Sequence, residues 1–233
     1  MNFFDLAILE FFNGFSQKSW TFDTATKYLA GANFAKGGVI FAVIWGLWFT
    51  HDKAEVVAET RRKIMATIAG SFLALFAARF LALSLPFRYR PLHQAGLAFL
   101  SPSGTYTGAL DGWSSFPSDH AALFAGLATG IFLISRSIGI ASILYSLIII
   151  LLPRIYLGLH YPTDILAGIF LGCACVLLTN LPMIKKPLTG RPLVWSEKHP
   201  QLFYSVSFLL SYQIVNLFDD LRRVAKFLFK YGS

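Results

Sequence analysis

A chain of 233 residues with 55% hydrophobic and only 14% charged residues is not an ordinary water-soluble domain, which carries about 25% charge. Mean hydropathy is +0.58 and Phe alone occurs 23 times, which points to one integral membrane domain over residues 1–233. The formal charge of +8 does not argue for nucleic acid. The basic residues fall between apolar runs, where they set topology or meet anionic headgroups.

Residues 3–15, FFDLAILEFFNGF, are apolar but interrupted by Asp5 and Glu10. They are too short to cross a bilayer and read as an interfacial helix. A bilayer core takes about 20 apolar residues in a helix. That length predicts spans at 31–50, 64–86, 119–135, 138–157, 162–181 and 201–219: an all-α, polytopic membrane bundle of about six transmembrane helices. Pro153, near the end of the fourth span, removes a backbone donor and is expected to kink or end that helix. Cys173 and Cys175 stand two apart within the fifth, and read as small packing residues rather than a disulfide or a metal site. The closing stretch FDDLRRVAKFLFKYGS spaces its apolar residues at helical intervals and reads as a second interfacial helix. The N-terminus lacks the marks of a cleaved signal peptide.

Three basic segments fix an expected orientation. Lys53 and Arg61–Lys63, the Arg136 turn, and Lys185, Lys186, Arg191 and Lys198 all fall on one side of the predicted spans. The positive-inside rule makes that side cytoplasmic. Residues 87–118 and the surroundings of His160 then face the opposite side. A spanning 201–219 would leave the basic tail on that side too, against the rule.

Three polar islands belong to that opposite face. In RFLALSLPFRYRP, residues 79–91, Arg79 sits within an apolar helix and Arg88 and Arg90 follow at its exit. An arginine in a span is costly and marks a functional site, although snorkelling to the headgroups is the plain alternative. In FPSDH, residues 116–120, Ser118 or Asp119 suits a helix cap, and His120 stands where free N–H groups favour a phosphate. In RIYLGLHYPTD, residues 154–164, Pro162 and Asp164 suit the start of a helix. His160 and Asp164 are also four apart, so the carboxylate can orient the imidazole and leave its second nitrogen nucleophilic. Together the islands offer arginines for phosphate oxygens and two histidines to divide attack from proton transfer.

The motif order resembles the type 2 phosphatidic acid phosphatase superfamily of membrane lipid phosphatases. That family shows Lys-x6-Arg-Pro, then Pro-Ser-Gly-His, then Ser-Arg-x5-His-x3-Asp. Here the counterparts are Arg90-Pro91, Pro117-Ser118-Asp119-His120, and Pro153-Arg154 followed by His160 and Asp164. The resemblance covers roughly residues 62 to 180, the expected catalytic core. It implies His160 as the nucleophile of a phosphohistidine, Asp164 as its orienting group and His120 as proton donor. Arg90, Arg154 and Ser118 would hold the phosphate. It also implies a metal-independent reaction, no cofactor, and a lipid phosphate as the substrate.

Three departures stand out. Leu83 occupies the place of the motif lysine, and either Arg79, the first choice, or Arg88 is expected to replace that cation. Asp119 replaces glycine, a form similar to bacterial undecaprenyl-diphosphate phosphatases. Its charge would repel phosphate unless an arginine pairs with it or it faces away. Pro153 replaces the serine of the third motif. The leading expectation is a multi-pass inner-membrane phosphatase acting at the periplasmic leaflet, with undecaprenyl diphosphate as first substrate. A lipid phosphotransferase and a non-enzymatic anion-binding or transport protein are the alternatives. Oligomeric state is not legible.

Overall fold

The computed structural model describes residues 2–105, 108 and 110–220. The C-terminal interfacial helix expected from the sequence falls largely outside the described residues. Among the described residues all regular structure is helical. Helices α1 (Phe3–Asn13) and α2 (Trp20–Gly31) lead into a π-helical turn, Phe34–Gly38, and α3 (Val39–Trp48). Then come α4 (Ala54–Ser84) and α5 (Asp119–Ile134). Helix α6 (Arg136–Tyr145) continues through a second π-helical turn, Ser146–Leu151, into α7 (Leu152–Tyr156). Helices α8 (Pro162–Asn180), α9 (Pro182–Lys198) and α10 (Pro200–Val215) complete the described chain.

Three helical segments are long and apolar enough to cross a bilayer: Ala54–Ser84, Arg136–Tyr156 and Pro162–Asn180. A fourth is available if the pair Trp20–Gly31 and Phe34–Trp48, bent by 65°, counts as one span. The stretch expected as a straight span at 31–50 is therefore the second arm of a bent pair. Helix α5 is apolar but has 16 residues, as does α10. Pro153 neither ends nor breaks its helix, because the widened π turn directly before it shifts the hydrogen-bond ladder that lacks its donor. Residues 182–198, expected as a basic loop, form a helix that contains Pro187 and Pro192 and packs on α4.

The centre of the molecule is a three-helix unit of α4, α5 and α8. Small residues let the backbones approach. A Cβ on Gly172 would meet the Ala122 carbonyl oxygen at 2.2 Å, and one on Gly168 would meet the Ser118 carbonyl oxygen at 2.4 Å. Such close approach is how helices associate where lipid removes the hydrophobic drive between them. Phe124, Leu127 and Ile131 of α5 anchor a core shared with Phe41, Trp48, Ile64 and Phe203. Phe76, Phe80, Leu83 and Phe170 are exposed, as a lipid-facing surface requires.

The unit has two unlike ends. One carries Lys63, whose Nζ donates to the Leu133 carbonyl oxygen at the C-terminus of α5 (2.9 Å), and Lys185, paired with Glu59. The other gathers the C-terminus of α4, the N-termini of α5 and α8 and the loop before α8, and the sequence islands lie there.

Candidate active site

The loop from Leu157 to Tyr161 hangs between α7 and α8. Gly158 takes φ +68°, a left-handed conformation, and a Cβ there would strike Phe99 at 2.6 Å; glycine alone meets both demands. The loop sets His160 in the interior, 2% exposed. Its Nδ1 lies 2.9 Å from the Ser115 carbonyl oxygen, and Arg90 Nη1 lies 3.2 Å from its Nε2. A carbonyl can only accept and a guanidinium can only donate. The two contacts together therefore select the Nδ1–H tautomer and leave the Nε2 lone pair facing Arg90. Burial pushes the imidazole below its ordinary value, the nearby Arg90 and Arg154 push the same way, and the Asp164 and Asp119 carboxylates oppose them.

The sequence assigns the orientation of His160 to Asp164, and here the geometry differs. Asp164 Oδ2 is 3.7 Å from Nδ1. Its oxygens are engaged elsewhere: Oδ2 accepts from Ser115 Oγ and from the Tyr161 N–H (2.8 Å), and Oδ1 accepts from Arg88 Nη1. Asp164 thus caps α8 and fixes Ser115, and the Ser115 carbonyl holds the ring. Ser115 carries no sequence signal for this role, because any residue offers a carbonyl.

Arg88 is engaged by Asp164 and the N-terminal helix. It donates to Asp164, to Thr163 Oγ1 (3.0 Å) and to Asp5 Oδ2 (2.7 Å), and its guanidinium lies 4.2 Å from the centre of the Tyr161 ring. Asp5, in the helix expected at the membrane interface, is fully buried and also accepts from the Thr163 N–H and Oγ1. Asp5 is buried because α1 packs on α7 and α8, where Arg88 and Thr163 give its carboxylate three donors.

The second island starts α5. Ser118 is its N-cap, with Oγ 3.4 Å from the Ala121 N–H, and is fully buried. Asp119 Oδ1 accepts from the His120 N–H (2.7 Å) and lies 2.8 Å from His120 Nδ1, while its Oδ2 accepts from Arg79 Nη2. The extra carboxylate is thus paired, which answers the repulsion that its charge would otherwise cause. Arg79, the first choice for the missing cation, is occupied by that pairing and lies 4.7 Å from the Trp113 ring centre.

Arg90 and Arg154 are 4% and 3% exposed. Arg90 also donates to the Leu159 and Ser114 carbonyl oxygens. Nε of each arginine is buried without a hydrogen-bond partner among the described residues. Burial lowers the Arg90 pKa, and the Asp119 and Asp164 carboxylates oppose that. Asp119 lies within electrostatic reach of Arg79, Arg90, Arg154, His120 and His160. The islands therefore converge, except that Arg88 faces the Asp5 side. Beside Arg79 opens an apolar cavity of about 640 Å3, lined by Leu75, Phe76, Leu83, Phe87 and Trp113 among others.

Buried guanidinium donors, a hydroxyl at a helix N-terminus and two histidines with defined tautomers are what phosphoryl transfer needs. A crystal structure of LpxE from Aquifex aeolicus superimposes with a TM-score of 0.49 at 24% identity, over 77% of this chain and 98% of that one. No curated protein matches the sequence. The family model described as the PAP2 superfamily matches residues 64–186, more than half of the chain. The protein belongs to that superfamily and is a membrane lipid phosphatase.

Proposed function

We propose that the protein hydrolyses a lipid diphosphate, with undecaprenyl diphosphate as the first candidate, through a phosphohistidine on His160. The observation that carries this reading is the pair of contacts on that ring, from the Ser115 carbonyl and from Arg90. They hold Nε2 unprotonated among phosphate-binding donors.

In the first step His160 Nε2 attacks phosphorus. The bond from phosphorus to the leaving oxygen breaks, and His120, entering the step protonated on both nitrogens beside Asp119 and the bound phosphate, gives that oxygen its Nε2 proton and becomes the neutral Nδ1–H ring. The leaving group is then the lipid monophosphate. Asp119 holds His120 by its Nδ1 side throughout. In the second step His120 takes a proton from water, the water oxygen attacks phosphorus, and the P–N bond breaks. Arg90, Arg154 and Ser118 bind the nonbridging oxygens and stabilise charge in both steps. Arg79 holds Asp119, and Asp164 and Arg88 build the loop.

The apolar cavity beside Arg79 suits the first stretch of a long lipid tail. The basic residues Lys63 and Lys185 mark the opposite end of the bundle, which supports a catalytic face at the periplasm or cell exterior of an inner membrane.

The test is phosphate release by the purified chain in detergent with EDTA present. Undecaprenyl diphosphate, phosphatidic acid and phosphatidylglycerophosphate are offered side by side, with His160→Ala as control. The expected result is fastest release from the diphosphate and none from the variant. A single-turnover reaction with labelled terminal phosphate, quenched in alkali, should leave label on the protein. Release that survives in His160→Ala would overturn the mechanism. Preference for either monophosphate would overturn the substrate.

A further inference from the structure

Lys36 is the one charged residue of the π-helical turn Phe34–Gly38. It lies outside the stretch that matches the family, and it is only 7% exposed. Its Nζ makes no hydrogen bond or ion pair among the described residues. A buried ammonium in an apolar segment is costly, so a fold that keeps one uses its charge.

The turn that carries Lys36 is held on several sides. Tyr145 Oη donates to the Ala35 carbonyl oxygen, and Asn33 Nδ2 donates to Asn216 Oδ1 at 2.6 Å. Gly37 abuts Val215 so closely that a Cβ would meet its Cα at 2.9 Å. The turn packs on the second π turn, Ser146–Leu151, which leads directly to Arg154. π turns change the direction in which a helix presents its side chains, and often do so at functional sites.

The charged groups that reach Lys36 are Arg154, Asp119 and Asp219. In turn, His120 feels both Lys36 and Arg154. Lys36 therefore sits among the residues of the catalytic site, beside a second buried cation that repels it. Asp119, the carboxylate they share, is already bonded to Arg79 and His120. Asp219 also reaches Lys36 and Asp164 also reaches Arg90, and a phosphate dianion would meet the three cations Lys36, Arg90 and Arg154 together. The two residues from which the sequence suggested a further cation are engaged elsewhere, Arg79 by Asp119 and Arg88 by Asp5 and Asp164.

We infer that Lys36 is a phosphate-binding residue of the active site, its ammonium joining Arg90 and Arg154 on the nonbridging oxygens of the phosphoryl group that His160 attacks. This rests on the mechanism proposed above. It also gives the N-terminal bent pair a catalytic part: it delivers a cation that the matched segment lacks.

The experiment compares Lys36→Met and Lys36→Arg in the purified full-length chain. It measures phosphate release, inhibition by orthovanadate as a phosphoryl-group mimic, and the Tm in detergent. Lys36→Met should lower kcat/KM about 100-fold and weaken vanadate inhibition. Its Tm should hold or rise, because a buried charge repelled by Arg154 is gone. Lys36→Arg should keep more activity than Lys36→Met. The inference is overturned if Lys36→Met leaves kcat/KM and vanadate inhibition within about threefold of the parent. It is equally overturned if activity falls only together with Tm while vanadate inhibition is unchanged, which marks a structural lysine. The His160→Ala control separates the two readings. A dead control beside an unaffected Lys36→Met removes only the role of Lys36, whereas an active control removes the mechanism itself.

Discussion

At the scale of single residues, Asp119 settles how a carboxylate can stand beside a phosphate site. Like charges repel strongly where water is scarce. Arg79 takes up one of its oxygens and His120 the other. The residue therefore positions His120, the proposed proton donor: with Nδ1 held, the ring presents Nε2. Asp119→Ala frees the ring and strands Arg79, and kcat should fall about 10- to 100-fold, as for lost outer partners of functional histidines. KM should change less. Asp119→Asn keeps an oxygen for Nδ1–H and should lose less than alanine. Steady-state kinetics on both variants decide the point, and a loss confined to KM would make Asp119 a binding residue instead.

His160 gives a pH prediction with a definite sign. Its pKa lies below 6.5, chiefly through burial. In the proposed mechanism the neutral ring attacks, so it stays competent as pH falls through 6.5 and is lost only lower down. The acidic limb of kcat/KM should accordingly lie below pH 6.5. Arg90→Gln removes a neighbouring positive charge and should move that limb upward in its residual activity. A limb at or above 6.5 in the parent would show that the ring is more solvated than its position implies. The histidines and arginines of the site were legible in the sequence because each breaks an apolar run. Ser115 was not, since its contribution to His160 is a backbone carbonyl, and Lys36 was not, since one lysine at the start of an apolar run has no distinguishing pattern.

At the scale of elements, hydropathy located the α4, α6–α7 and α8 segments to within a few residues at most of their ends. The start of α4 is the exception: its first ten residues, AEVVAETRRK, carry five charges, and a transfer scale cannot see a helix that continues beyond lipid. Both π turns escaped the reading, because one inserted residue alters backbone geometry without altering composition. The glycines of α5 and α8 carry the closest packing. Gly172→Leu has no room, with the Ala122 carbonyl oxygen 2.2 Å from its Cβ and the Gly126 nitrogen at 2.9 Å. Neither obstacle is a flexible side chain. Forced apart, α5 and α8 should lose about 3 kcal/mol or more, seen as a lowered Tm in detergent and lost activity. Gly46, inside α3, has nothing within 4 Å of its Cβ position. Gly46→Ala should be neutral or gain up to about 1 kcal/mol, which makes it the matched control.

At the scale of the whole molecule, the N-terminal quarter of the chain serves the catalytic loop from outside the matched segment. Two buried carboxylates tie it down. Asp23 accepts from Tyr156 Oη and from the Ser103 N–H at 2.8 Å, and Asp5 accepts from Arg88 and Thr163. The sequence suggested an interfacial helix around Asp5 because the interrupted apolar stretch is too short to cross a bilayer. Its burial depends on donors more than 80 residues away, which no local pattern reveals. Removing Asp5 is therefore a test of long-range support. Asp5→Ala takes one of two carboxylates from Arg88 and strips the Thr163 N–H and hydroxyl of their acceptor, at the first turn of the helix that Asp164 caps. Breaking a buried pair from one side costs about 3–5 kcal/mol, and the partial exposure of Arg88 places the expected loss at the lower end. The loop that carries His160 should loosen, so amide exchange across residues 157–165 should quicken and kcat should drop, although Asp5 touches no substrate. Asp5→Asn should fall between the two, because its amide oxygen still accepts from the Thr163 N–H while its amide nitrogen meets Arg88 as donor against donor. If Asp5→Ala kept both its exchange pattern and its kcat, the N-terminal helix would be a passenger on the catalytic end rather than its brace.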